Sequence, residues 1–542
     1  MGDRGPQPVP KDGTGQLALP VDPPNPGGGD KYFLRVATDD NLVTAFIRVH
    51  DEAYVEMGKM LRLPSGAGDF IYIVGWDFRP DTDLDGTSVG DHLTAAASRG
   101  VAIRAMFFMN HLPGNGKLGS GEGPIPQNQP NVDFINALKT GGAIHDDRYL
   151  RFASHHQKAM VIKHGNELVG FCGGMDIHPF RNNWHDVHVK VEGPGAFDLH
   201  QNFVDRWTDH PLSMNPSVFL QRVTLPPPPP QKPGKGELQV EIVRTFGNGS
   251  RHAGIDDISF RSDTPNPPGG PTATSTYAFA PGGDRAIFNL LAKSIRATKE
   301  FIYLEDQYLV ADQPMFSVGG PISKILADKV AEPTFKKLII LVARTEQVNG
   351  ELLQAWQRRR QFIGLIQSAG LTKVSVCHYK AKPGATILGE VPTFVHSKSW
   401  IFDDEFCLVS SANCNRRGYS HDSEIGAAIF DPNPRGDRLY FAHELRMRLW
   451  MKHLNPGGDK SITNRDILDP IAAARFWSKP PDIAAIEPYD QDGDKANPPN
   501  VTNPTPDTRI PARFTGAIQS AVGAILKDVN DDWDLVIDPD GS

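Results

Sequence analysis

The 542-residue sequence predicts an α/β protein of two similar lobes, each a mixed β-sheet flanked by helices, related by a pseudo-twofold axis with the active site between them. Three observations carry that expectation. A histidine-lysine pair occurs twice in similar surroundings, at His156-Gln157-Lys158 and His396-Ser397-Lys398, 240 positions apart (396 minus 156). Upstream, Phe70-Ile-Tyr-Ile-Val-Gly-Trp-Asp-Phe78 reads like Phe301-Ile-Tyr-Leu-Glu-Asp-Gln-Tyr-Leu309, at an offset of 231 (301 minus 70). Short apolar runs also alternate with segments of helical spacing, the pattern of strands covered by helices. Downstream of the pairs, His185-Asp186 reads as the counterpart of His421-Asp422, at an offset of 236 (421 minus 185). A long repeat means two similar folding units rather than a solenoid of short ones. Two units about a twofold axis each bring a histidine and a lysine to a shared cleft.

The elements follow in order. Residues 1–30, rich in Gly and Pro, read as a disordered leader, and the first lobe spans 31–225. In it, Ala45 to Leu61 has helical spacing, Phe70 to Gly75 reads as a buried strand, Asp91 to Ser98 as a helix and Val101 to Phe108 as another strand. Ala159 to Ile162, after the first pair, and Ser399 to Phe402, after the second, are β-rich apolar runs. Residues 226–236 form a proline-rich connector, semi-rigid through Pro226 to Pro230. The second lobe, 237–455, contains helices Arg285 to Thr298 and Glu351 to Ala369 and strands Lys337 to Val342 and Lys373 to His378. A loop-rich segment at 261–275 interrupts it. Residues 456–542 are a Pro/Asp-rich tail in which Phe514, Ile518, Val522 and Ile525 recur at helical spacing, a short final helix expected to pack on the body.

Composition narrows the function classes. With 39% apolar residues the chain can bury a large core. A net charge of −8 and a pI of about 6.1 argue against a broadly basic nucleic-acid-binding surface, while leaving room for a local cationic cleft that holds one phosphate. The cysteines Cys172, Cys377, Cys407 and Cys414 include no Cys-x-x-Cys and read as buried reduced thiols. The first residues lack the apolar region of a secretory signal, no run has the length of a membrane span, and Met1-Gly2 lacks the Ser/Thr of a myristoylation site, Pro6 standing there. The expectation is a protein that is cytoplasmic or exported without a classical signal peptide. The acids Asp83, Asp85 and Asp146-Asp147 match no metal-ligand spacing and read as solvated loops.

A bare His-x-Lys carries little weight, since it also occurs at His188-Val189-Lys190 and His378-Tyr379-Lys380. Only the pairs at 156 and 396 repeat in register. With their surroundings they resemble the phospholipase D superfamily, whose signature in each half is His-x-Lys-x4-Asp-x6-Gly-Ser-x-Asn. In the second copy His396, Lys398 and Asp403 are in register and Ser410-Ser411-Ala412-Asn413 follows, with Ser410 where the family usually has Gly. In the first copy Lys163 stands where the motif Asp is expected, and Gly173-Gly174-Met175-Asp176 replaces Gly-Ser-x-Asn. Gly-Gly-x-Asp and the phrase Ser154-His155-His156-Gln157-Lys158 resemble first halves of the phosphatidylcholine-cleaving branch. The resemblance runs from about Tyr32 to about Leu454.

That resemblance implies a phospholipase D, hydrolysing the distal phosphodiester of glycerophospholipids to phosphatidic acid and a head-group alcohol through a phosphohistidine, with transphosphatidylation to added alcohols. It further implies phosphatidylcholine or phosphatidylethanolamine as substrate and transient, peripheral contact with a phospholipid membrane surface. No cofactor, metal or nucleic acid is expected, and the protein is expected to be a monomer. The residue types suit the chemistry. A neutral imidazole attacks phosphorus while an imidazolium protonates the leaving oxygen, and ammonium groups neutralise the non-bridging oxygens. By resemblance His156 is the nucleophile, His396 the acid and then base, and Lys158 and Lys398 the neutralising cations, with Asn413 and Ser411 as hydrogen-bond donors to the phosphate. Also by resemblance, Glu424 orients His396 and Asp186 orients His156. Asp176, His155 and Trp76 are further candidates for substrate contact. The alternatives are a nuclease or a cardiolipin synthase-like phosphatidyltransferase of the same fold, and a catalytically inactive lipid-binding scaffold, which Lys163 alone suggests.

Overall fold

The structure, a computed structural model, describes residues 29–108, 128–146, 154–179, 184–210, 224–231, 234, 236–247, 277–280, 283–310, 321–344, 355–380, 393–420, 422–432 and 439–489. The expectations for the leader, the 261–275 loop, Asp147, His421 and the final helix fall outside these residues.

In the first half the strands are β1 (Thr38–Phe46), β2 (Phe70–Gly75), β3 (Ala102–Phe108), β4 (Gly141–Asp146), β5 (Ala159–His164), β6 (Glu167–Gly173), β7 (Trp184–His185) and β8 (His188–Glu192). In the second they are β9 (Leu238–Phe246), β10 (Asp284–Arg285), β11 (Phe301–Asp306), β12 (Lys337–Val342), β13 (Val374–Tyr379), β14 (Phe394–Val395), β15 (Ser399–Phe402), β16 (Phe406–Ser410), β17 (Glu424–Phe430) and β18 (Ile486–Pro488). Sixteen of them form one mixed sheet. Outward from the centre, the order β1-β8-β6-β5-β2-β3-β4 on one side is matched by β9-β17-β16-β15-β11-β12-β13 on the other, with β1 antiparallel to β9 at the join. On each side three strands run parallel and the strand after the His-Lys pair runs antiparallel to them.

The six strands expected from apolar runs lie close to those places, because strands buried on both faces read as continuous hydrophobic segments. Every residue of β2, β11, β12 and β13 is buried. The helices Val89–Ser98, Ala286–Ala297 and Ala355–Gly370 also lie close to their expected places. Ala45 to Leu61 is a correction. Ala45 and Phe46 end β1, and helix begins at Val49, first as a wide π turn to Tyr54 and then as α-helix Val55–Leu61. The helical spacing belonged to residues 49–61. Pairing with β8 and β9 holds the preceding residues extended.

Apolar side chains gather in three large clusters. The central one combines residues of both halves, including Tyr72, Phe203, Trp207, Tyr303 and Trp450. The outer two pack the remaining helices on the far faces of the two half-sheets. Helices Pro194–Asp209 and Phe441–Leu454 supply Trp207 and Trp450 to the central layer. All four cysteines are buried and free.

Lys163, near the end of β5, and Asp403, in the turn after β15, stand at corresponding places and do the same job with opposite polarity. The Asp403 carboxylate accepts the backbone N–H groups of Lys299, Glu300 and Phe301 at 2.7, 2.9 and 2.9 Å, pinning the start of β11. In the first half the Lys163 ammonium donates to the carbonyl of Gly68, the counterpart of Lys299. Asp69, the counterpart of Glu300, returns a carboxylate to Gly165 N at 2.8 Å. The start of β2 is thus anchored without the motif aspartate.

Candidate active site

Because β5 is antiparallel to β2, with Ala159 opposite Val74, Lys158 enters beside the carboxyl end of β2. Ser399 opposite Glu305 places Lys398 likewise at the carboxyl end of β11. Carboxyl ends of parallel strands are where α/β sheets present ligand-binding groups. Each pair then leans on the other half. His396 N and Ser397 N donate to the carbonyl of His185 at 2.8 and 3.1 Å, and His156 N donates to the carbonyl of Ser423 at 3.0 Å.

The side chains cross in the same way. His156 Nδ1 lies 2.8 and 3.0 Å from the two carboxylate oxygens of Glu424, and His396 Nδ1 lies 2.7 Å from Asp186 Oδ2. This reverses the expected assignment: Glu424 orients His156, and Asp186 orients His396. The cause is a shift in the repeat. Gly174 N bonds the Val187 carbonyl as Ser411 N bonds that of Ile425, so Asp186 corresponds to Glu424, an offset of 238 (424 minus 186), and not to Asp422. Asp422 instead holds the segment in place, accepting from Ser154 N at 2.6 Å and from Arg417 at 3.0 Å.

Each acid is seated by the motif residues beside it. A Cβ on Gly174 would stand 2.2 Å from Asp186 Oδ1, and Gly173 has φ +149° with no room for a side chain, so two glycines let Asp186 approach. At the matching place the Ser411 hydroxyl donates to Glu424 Oε2 and accepts from Ile425 N. Ser411 is therefore committed to the orienting acid and not to a substrate oxygen. Burial opposes the Asp186 charge, but His396 and Lys398 outweigh it and hold the carboxyl below its usual range.

Lys158 Nζ donates to the His156 carbonyl at 3.2 Å and lies 3.4 Å from Asp176 Oδ2. Lys398 Nζ donates to the His396 carbonyl at 2.6 Å and to Gln307 Oε1 at 3.1 Å. Gln307 is itself held by Arg359, which donates to its carbonyl at 2.7 Å. Asn413 is fully buried, and neither end of its amide makes a hydrogen bond. A buried amide left orphaned calls for a partner the protein does not supply. A cavity of ≈ 20 Å³ lies behind Lys158, lined by Asp176, His188 and the apolar Met57, Met160 and Met175. It has room for about one water.

The family model described as phospholipase D matches residues 178–317. Over 79% of its length the chain is 25% identical to phospholipase D alpha 1 of Cynara cardunculus, and over 77% it is 23% identical to phospholipase D alpha 2 of Oryza sativa subsp. japonica. The chain is similar to members of the phospholipase D superfamily. It spans 67% and 61% of those two relatives' lengths. Among solved structures, phosphatidylserine synthase of Haemophilus influenzae Rd KW20 superposes with a TM-score of 0.48 at 11% identity, over 72% of this chain and 82% of its own.

The remaining candidates are less central. Trp76 is buried and stacked on Phe108, 6.0 Å between rings. His155 is fully buried, and its ring nitrogens make no hydrogen bond, the nearer lying 3.9 Å from Asp146. Burial and then Arg206 push it well below the usual histidine range, so it stays neutral. Asp85 pairs with Arg62 and His92, and Asp146 with Arg206, so neither is a loop acid open to solvent. The sequence did not reveal the parts played by Gln157, which hydrogen-bonds Asn202 and the Glu424 carbonyl, or by Arg359. Glu305 and Gln307 had a signal, polar residues closing an otherwise apolar strand.

Proposed function

We propose that the protein is a phosphodiesterase that hydrolyses glycerophospholipids to phosphatidic acid and a free head-group alcohol. The observation that supports this reading above the others is the crossed pairing of each histidine with the carboxylate of the opposite half. A carboxylate accepting the Nδ1–H makes Nε2 the nitrogen of each ring that reacts. In the first step Nε2 of neutral His156 attacks phosphorus, the bond to the head-group oxygen breaks, and imidazolium His396 gives that oxygen its proton. In the second, neutral His396 takes a proton from water, the water oxygen bonds to phosphorus, and the phosphorus–nitrogen bond breaks. Both steps build charge on the non-bridging oxygens, next to which Lys158 and Lys398 are held by their own histidine's carbonyl. Among the described residues the Asn413 amide is one of the buried donors without a hydrogen bond.

Among the described residues no helix is long and apolar enough to cross a membrane, so the lipid is met from outside the bilayer. A net charge of −8 offers a polyanionic strand no general attraction, which favours lipid over nucleic acid. Phosphatidylcholine vesicles with added ethanol test the reading. Phosphatidylethanol should form beside phosphatidic acid, in the presence of chelator, and both should vanish in His156→Ala. Cleavage of single-stranded DNA with no lipid product would transfer the reading to a nuclease.

A further inference from the structure

Three residues outside the His-Lys pairs, His185, Glu305 and His453, are wholly buried with ligand atoms within 4.8 Å of one another. On distance alone they could hold a divalent metal. Their other hydrogen bonds assign the protons differently. Lys452 Nζ donates to the Ile47 carbonyl at 2.5 Å and lies 2.7 Å from Nδ1 of His185. An ammonium only donates. His185 Nδ1 is therefore the acceptor, and Nε2 carries the hydrogen that goes to Glu305 Oε2 at 2.7 Å. Glu305 Oε1 accepts from the Tyr303 hydroxyl at 2.6 Å and from His453 Nε2 at 2.9 Å, and His453 Nδ1 accepts from the Tyr379 hydroxyl at 2.8 Å. Every ring nitrogen is used, both imidazoles are neutral, and one ammonium balances one carboxylate. A metal-bound histidine needs an acceptor for its other N–H, and Lys452 is not one. The electrostatics agree. Burial pushes His453 down to about 4 and lowers His185, while Glu305, despite burial, is held well below the carboxylate range by His185 and His453.

The network ends where His396 is held. The carbonyl of His185 accepts from His396 N and Ser397 N, β7 pairs with β14 through Val395 and His185, and the next residue, Asp186, takes the His396 ring. At the matching places of the other half the described residues form no such peg. Val74 stands opposite Ala159 as Glu305 stands opposite Ser399, and Ser423, which receives His156 N as His185 receives His396 N, has a hydroxyl without a hydrogen bond.

We propose that Glu305 and Lys452 are positioning residues for His396: by gripping both ring nitrogens of His185, they fix the carbonyl and the carboxylate that aim the His396 ring. This rests on the reading of His396 as acid and base. It makes the two histidines differently supported, His396 through a network reaching into helix Phe441–Leu454 and His156 through Ser411, Glu424 and the segment that Asp422 holds in place.

The test compares full-length Lys452→Met, Lys452→Arg and Glu305→Gln with bis(p-nitrophenyl) phosphate as the probe. Lys452→Met and Glu305→Gln should lower kcat by roughly 10- to 100-fold, part of what general acid–base catalysis supplies, with kcat/KM within about twofold, because this leaving group departs without an acid and only hydrolysis of the phosphohistidine needs His396. Lys452→Arg keeps a donor-only cation and should recover most of the loss. Histidine-selective NMR gives a readout independent of turnover. The His396 Nδ1–H resonance should move or broaden in Lys452→Met and hold its wild-type position in Lys452→Arg. An unmoved resonance in folded Lys452→Met overturns the proposal. So does a tightly held zinc ion in wild-type protein loaded with zinc and desalted, if Glu305→Gln loses it. Should Glu305→Gln not fold, the two Lys452 variants decide. A wild type without phosphodiesterase activity defeats the reading under Proposed function and leaves the resonance test in force.

Discussion

Replacing Glu424 by glutamine keeps the shape of the side chain and removes the charge opposite His156. In the structure that carboxylate is fully buried, meets His156 Nδ1 at 2.8 and 3.0 Å and accepts the Ser411 hydroxyl. Breaking a buried charged pair costs about 3–5 kcal/mol, which at 1.36 kcal/mol per decade is a loss of roughly 10²- to 10⁴-fold in the step that needs His156 charged. A p-nitrophenyl phosphodiester isolates that step, because its leaving group departs without an acid. Rapid mixing should show a slowed burst of nitrophenolate in Glu424→Gln, since attack by His156 turns its ring cationic. Asp186→Asn should keep the burst and slow steady turnover, since His396 is then needed only to deprotonate water. An intact burst in Glu424→Gln together with a lost burst in Asp186→Asn would refute the crossed assignment.

The other expectations concern stability and the departures in the motif. Lys163→Ala should retain most activity and lose only about 1 kcal/mol, the scale of one carbonyl bond; a loss of turnover as deep as that of Lys158→Ala would show that Lys163 takes part in the chemistry. Asp403→Ala should cost more, about 2–4 kcal/mol in urea unfolding, because three backbone donors lose their acceptor and an alanine must hold φ +49°. Arg446, buried and bonded to Asp404 at 2.8 and 2.9 Å and to the Ile467 carbonyl at 2.7 Å, ties residues 456–489 to the body, and Arg446→Met should lower stability by about 3–5 kcal/mol. His188 is pushed by burial from 6.5 down to about 4. Only the unfolded chain takes its proton between those values, so its contribution is full above pH 6.5 and is lost as pH falls toward 4. His188→Gln should therefore flatten the dependence of unfolding free energy on pH in that window by one proton, about 1.36 kcal/mol per pH unit, and an unchanged slope would mean that His188 is charged when folded.

The sequence by itself determined the class of fold and the strands beside the His-Lys pairs. Those features are local. Phe70 to Gly75 and Ser399 to Phe402 are apolar runs whose burial follows from their composition, and they appear as β2 and β15 with the bounds read from sequence. Ala45 and Phe46 went astray because helical spacing across residues 45–61 is also satisfied by a strand end followed by a helix, and only pairing with β8 separates the two. Tertiary structure alone decided which acid serves which histidine. Glu424 and His156 are 268 residues apart and Asp186 and His396 are 210 apart, so no spacing rule connects them. Identity of residue type suggested that Asp422 repeats Asp186, but the backbone bonds of Gly174 and Ser411 set the true correspondence two residues further on. The same holds for Lys452 and Glu305. Lys452 reads as an ordinary charge in its own segment and Glu305 only as a polar residue closing an apolar strand, and each acquires its place because the packing of the two half-sheets brings both against the ring of His185.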